Sequence, residues 1–227
     1  MSISSSAEAE RCFERFCANL SLQCERVIES SAQRERRPDY SLIGFDRTRL
    51  LVEVKLVSPS PSEADELARL RAGEIFARRI VPGERLRRMI ADANGQLRQR
   101  AGAGLPGVLV VFCADPFLRN HLDPYSVLTA MRGLDEIPVT VHRDPSIPPV
   151  FGEVRSGPRK SMTEIKNRST SAVILPRQDE SADWQLSVFL NRFARITLPR
   201  TAFEHPRVRH FEIRPDERDW QSVPAAC

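Results

Sequence analysis

Along the chain, stretches whose apolar residues recur every three or four positions give way to stretches in which they alternate or run together, and this sets a predicted order of elements. Phe13, Phe16, Cys17 and Leu20 fall on one stripe of a helix over residues 7–22, with Ser4 to Ser6 supplying its cap. Glu10 and Glu14 lie beside that stripe, one turn apart. Residues 30–37 are polar, Pro38 fixes the backbone after them, and a strand is predicted over 40–45. A turn around 46–48 leads into a second strand over 49–57, so that the two form a hairpin.

The run Ser58-Pro59-Ser60-Pro61-Ser62 breaks that strand, and residues 58–83 carry only a weak helical pattern at Leu67, Leu70 and Ile75, as expected of an insertion or lid. From Glu84 the spacing of Leu86, Met89, Ile90, Ala93 and Leu97 predicts an amphipathic helix with Arg85, Arg88, Arg98 and Arg100 outside and Gln96 at the buried edge. Val108 to Phe112 is an uninterrupted apolar run, the pattern of a strand covered on both faces. Asp123-Pro124 then begins a helix that Gly133 stops. This order predicts an α/β fold with a mixed central sheet flanked by helices. Residues 1–135 form its core, and 136–214 are an elaborated C-terminal half packed on the same sheet, with strands at 171–175 and 185–190. Residues 215–227 read as a loose tail.

Composition narrows the classes. At 227 residues and 41% hydrophobic, the chain can fill one core. A net charge of +4 permits a polyanionic partner but falls short of a histone-like excess. The five cysteines include no Cys-x-x-Cys pair, and Ser and Cys nucleophiles lack an elbow or base. The four histidines, His121, His142, His205 and His210, show no paired metal spacing. No Gly-x-x-x-x-Gly-Lys-Ser/Thr loop is present. No stretch approaches the ~18 to 20 apolar residues of a membrane span, and the Ser-rich start lacks the regions of a signal peptide. The expectation is a soluble cytoplasmic protein with structural thiols and no membrane partner.

The candidate chemistry lies in the hairpin. Only three lysines stand among 34 basic residues, and Lys55 is the first of them. In a strand, Leu51, Glu53 and Lys55 point to one face and Val52 and Val54 to the other. With the turn centred near Arg47 and Thr48, Asp39 is expected opposite Lys55 and Ser41 opposite Glu53, which makes Asp39 and Glu53 diagonal neighbours. Two charges on an otherwise apolar strand need partners: one another, a divalent cation or ordered water. Hard oxygens from Asp39 and Glu53, with the Val54 carbonyl as a third, suit Mg²⁺ or Mn²⁺, and such an ion serves phosphodiester hydrolysis. Lys55 would then orient the attacking water or stabilise the developing charge, a task for which its compact ammonium is better shaped than a guanidinium.

Pro38-Asp39 followed by Glu53-Val54-Lys55 resembles the signature of the PD-(D/E)XK nuclease superfamily, over about the first half of the chain. The resemblance implies a restriction-endonuclease-like core and a Mg²⁺-dependent endonuclease or exonuclease acting on DNA. It also implies a metal-site glutamate on the first helix, for which Glu14 fits best and Glu10 second, and an active-site role for Gln96. Arg85, Arg87 and Arg88 are candidate phosphate contacts on a helix face that is otherwise solvated. A homodimer and a partner protein supplying specificity belong to the same expectation. The alternative is a catalytically inactive binding or scaffold protein of this fold. Substrate shape, and DNA against RNA, are not encoded in these motifs.

Overall fold

The computed structural model describes residues 5–27, 38–75, 77, 81–100, 104–144, 146–178, 183–213 and 221–223. The polar stretch 30–37 lies outside the described residues, as does Ser4 of the predicted cap. Helix α1 (Ser6–Asn19) is capped by Ser5, whose side chain accepts from the Glu8 N–H, and it turns Phe13, Phe16 and Cys17 inward. It ends earlier than its apolar stripe because the chain reverses at Ser21, whose φ is +55°. The short β1 (Gln23–Arg26) follows, a strand the apolar pattern does not announce because its Gln-Cys-Glu-Arg sequence is almost wholly solvent-facing. Strands β2 (Tyr40–Ile43) and β3 (Arg49–Val57) form the expected hairpin.

Helix α2 (Pro61–Arg71) lies within the segment read as an insertion or lid. Its start is a full capping box: Ser60 accepts from the Glu63 N–H while the Glu63 carboxylate accepts from the Ser60 N–H. Residues 76 and 78–80 of that segment lie outside the described residues. Helix α3 (Glu84–Arg100) and β4 (Gly107–Cys113) complete a strand–helix–strand unit in which β3 and β4 run parallel. The Arg100 side chain, expected on the outer face of α3, falls outside the described residues. A 3-10 turn at Pro116–Leu122 leads to α4 (Pro124–Arg132), which Asp123 caps and Gly133 ends at φ +87°.

Beyond α4, β5 (Asp135–Glu136) pairs with β8 (Arg155–Ser156), and β6 (Val139–Thr140) with β7 (Val150–Phe151), as two small ribbons apart from the main sheet. The chain then returns to that sheet as β9 (Thr170–Gln178), β10 (Trp184–Leu190) and β11 (Val208–Glu212). Part of the segment expected to be a loose tail forms β12 (Gln221–Val223) against β11, while 215–220 and 224–227 lie outside the described residues. The result is an eight-stranded sheet in the order β1-β2-β3-β4-β9-β10-β11-β12, mixed in direction and flanked by helices, as expected.

The sheet has two dry faces. Tyr40, Leu42, Val52, Val54, Val110 and Ile174 pack under α1, while Leu51, Val57, Leu109, Val111 and Val173 pack under α3 and α4. Strand alternation assigns each residue to a face, so Glu53 and Lys55 belong to the α3 side. A close approach clasps the hairpin to the C-terminal half: the Phe45 N–H donates to the Ala202 carbonyl at 3.0 Å, in a 3-10 turn at Arg200–Phe203. A Cβ at Gly44 would come within 2.6 Å of that same carbonyl oxygen, so glycine is required there by space.

Candidate active site

The hairpin register differs from the expected one by two residues. Tyr40 pairs with Val52 and Ser41 with Leu51, which puts Asp39 level with Glu53 instead of Lys55. The loop explains the shift: the Gly44 N–H donates to the Thr48 carbonyl at 2.8 Å, the Arg47 N–H donates to the Gly44 carbonyl at 3.0 Å, and Arg47 is left-handed at φ +68°. A three-residue loop ending in a left-handed residue is a favoured hairpin connection. A two-residue change keeps every side chain on its face, so the carboxylates stay neighbours.

Asp39 is fixed at both ends. Its backbone carbonyl accepts from the Val27 N–H at 2.9 Å, and its Oδ2 accepts from the Val54 N–H at 2.7 Å. Glu53 is wholly buried, with Oε1 2.6 Å from Lys55 Nζ and Oε2 without a hydrogen bond of good geometry. Lys55 Nζ also donates to Gln96 Oε1 at 3.2 Å, which connects β3 to α3, and its side chain keeps 29% exposure. Burial is the main cause that raises the Glu53 carboxyl from 4.5 to about 7, and Asp39 adds to it, while Lys55 and the nearby Gln96 amide pull the other way. The structure thus brings Asp39, Glu53, Lys55 and Gln96 together around the middle of β3.

The other candidates stand elsewhere. Glu14 Oε1 accepts from the Tyr40 hydroxyl at 2.8 Å, on the α1 face of the sheet and across from Glu53. Tyr40, which no motif marks as functional, is thereby the link between α1 and Asp39, its neighbour in the chain; burial and the Glu14 carboxylate push its phenol upward. Glu10 is ion-paired with Arg26. Val54 points its side chain into the α1-side core.

Of the three arginines on α3, Arg85 is ion-paired with buried Glu63 and donates to the Ser58 carbonyl, so it anchors α2. Arg87 is 10% exposed, paired with Glu84, and donates to the Thr129 carbonyl at 3.2 Å, stapling α3 to α4. Arg88 is well exposed, though it also pairs with Glu84. Among the described residues no three His, Cys, Asp or Glu side chains converge in the manner of a metal site. The oxygen donors at this site are the Asp39 and Glu53 carboxylates, which suit a hard divalent ion, and Glu53 Oε2, without a hydrogen bond of good geometry, is a buried acceptor that such an ion would satisfy.

No protein-family model matches the chain, and no curated protein matches it. A solved structure of the Holliday junction resolvase Hjc from Archaeoglobus fulgidus is 19% identical over 47% of this chain and 68% of that one, with a TM-score of 0.29. At that score the likeness carries no argument about this chain. Among the described residues no helix is long and apolar enough to cross a membrane.

Proposed function

We propose that this chain is a metal-dependent nuclease that hydrolyses DNA phosphodiester bonds, with Asp39 and Glu53 holding Mg²⁺ or Mn²⁺ and Lys55 positioning the attacking water. The observation that carries the reading is Glu53, a carboxylate entirely inside the protein, beside a second carboxylate and a lysine, with Oε2 left without a hydrogen bond of good geometry. Such a group destabilises the fold unless charge or donors compensate it. When bound, a divalent ion would polarise the scissile phosphate and lower the pKa of its water.

The rest falls to the chain's own residues. The Val54 N–H aims the Asp39 carboxylate, and the Val54 carbonyl is a candidate third oxygen. Gln96 and Glu53 hold the Lys55 ammonium from two sides, leaving its remaining proton free for a water or a phosphate oxygen. Gln96 is then a positioning residue acting through Lys55, and Glu14 one acting through Tyr40. Cutting both strands of a duplex would call for two such sites and hence a second copy of the chain.

A second reading, a binding protein of this fold that no longer cuts, is favoured by one fact: Asp39 Oδ2 and Glu53 Oε1 are already engaged by the Val54 N–H and by Lys55. Incubation of plasmid, single-stranded DNA and RNA with Mg²⁺ or Mn²⁺ separates the two. Cleavage by wild type that disappears in Asp39→Ala and Lys55→Ala supports the nuclease. Equal cleavage by all three proteins, or none by wild type, overturns it.

A further inference from the structure

On the same face of the sheet as Glu53, a cleft of about 620 Å³ opens between the end of α4, residues 157–166 and residues 192–193. Arg132, Arg159, Lys160, Lys166 and Arg192 line it, with Glu164 as the one carboxylate. The chain as a whole is nearly balanced, at 34 basic and 30 acidic residues, so an arginine-rich composition does not account for such a concentration. Two of the three lysines in the sequence are here. Among the described residues, Arg159, Lys160, Lys166 and Arg192 have no carboxylate partner.

These cations stand on a fixed wall. The N–H groups of Ser161 and Met162 donate to the Ala130 and Met131 carbonyls at 3.1 and 3.0 Å, and the Gly157 N–H donates to the Leu134 carbonyl at 2.6 Å. The Met162 side chain is buried in the α3–α4 core. A Cβ at Gly133 would meet the Pro158 and Gly157 carbonyl oxygens at 2.6 and 2.7 Å, so the helix stop and the wall are in direct contact. Thr163 Oγ1 accepts from the Lys166 N–H at 3.1 Å and shapes the turn that presents Lys166. Opposite, buried Asn191 accepts from the Phe193 N–H at 3.0 Å, and the Arg192 guanidinium lies 4.6 Å from the Phe193 ring centre. Arg132 is held below its ordinary pKa by burial and then by Arg192, with Asp135 opposing, as expected where folding crowds like charges.

We propose that this cleft binds the phosphodiester backbone of a nucleic acid, as a contact separate from the Asp39–Glu53–Lys55 site. The choice of nucleic acid rests on the nuclease reading; the concentration of charge does not. Three strand steps separate β3 from β10, roughly 14 Å, and Arg192 lies beyond the end of β10 by a further ~15 Å relative to Lys55, so the two sites are about 20 Å apart. That is the span of about six base pairs.

The test is binding of a fluorescein-labelled 20-mer, as duplex and as single strand, to the full chain in EDTA across a salt series. Each neutralised phosphate adds about 0.9 to the salt slope for a duplex and about 0.7 for a single strand. Lys160→Gln with Lys166→Gln should therefore lose about 30-fold in duplex affinity at ~0.15 M salt, or about 14-fold for a single strand, and the slope should flatten by about 1.8 or about 1.4 respectively. Both lysines are exposed, and an unchanged melting curve shows that the fold is kept. Arg11→Gln, which removes an exposed cation from α1 on the other side of the sheet, should bind like wild type. Unaltered affinity and slope in the double variant with both ligands, an equal loss in Arg11→Gln, or no binding by wild type overturns the proposal. Loss of cleavage in Lys55→Ala is read in a different assay, so the nuclease reading and this one fail separately.

Discussion

Replacing Glu53 with Gln should stabilise the metal-free protein above neutral pH. Glu53 is raised from 4.5 to about 7, chiefly by burial. Between those values the folded state keeps a proton that the unfolded chain has released, so stability falls as pH rises. The contribution is fully present below 4.5 and is lost as pH passes through about 7. At about 1.4 kcal/mol per unit, ionising Glu53 costs about 3 kcal/mol at pH 8, with the attraction of Lys55 already included. Glutamine removes that cost but copies the protonated acid imperfectly, which gives back about 1 kcal/mol for one hydrogen bond made less well. The net gain is about 2 kcal/mol, or about 4 to 8 °C in Tm for a chain of this size. Thermal unfolding in EDTA from pH 5 to 8.5, followed by circular dichroism, should show the two proteins within a few degrees at pH 5 and the Gln variant pulling ahead above pH 6. Added Mg²⁺ should then raise the Tm of wild type alone. Parallel curves across the range, or a Gln variant less stable at pH 8, would show that ionised Glu53 does not destabilise the fold.

Two further outcomes test the frame around the site. Gly44→Ala should lower stability by about 1 to 3 kcal/mol, measured by urea unfolding, because its Cβ would press on the Ala202 carbonyl; an unchanged midpoint would show that the hairpin is not clasped there. Ser60→Ala removes half of the α2 capping box and should cost about 1 kcal/mol, and amide exchange should quicken first in residues 62–64.

Much of the site was legible because strand alternation is a local property. Glu53 and Lys55 share a face whatever they pair with, and Arg49–Val57 has the bounds its apolar pattern predicts. The offset between the strands was not legible, since Arg47 gives no sign in sequence that it adopts a left-handed backbone. Scarcity of lysine singles out Lys55, and applied evenly it also marks Lys160 and Lys166. Arg87 looks like surface in a helical projection, yet α4 packs over it.

By itself the sequence determined the order of the core elements, the face each residue occupies and the presence of an acid–acid–lysine set, because these follow from strand and helix periodicity and from residue chemistry. Tertiary structure alone decided that Glu53 is sealed from water, that Glu14 lies across the sheet, and that five cations from three separated segments line one cleft. Burial and long-range proximity depend on which strand lies beside which, and parallel pairing of β3, β4 and β9 joins parts of the chain that no local pattern relates.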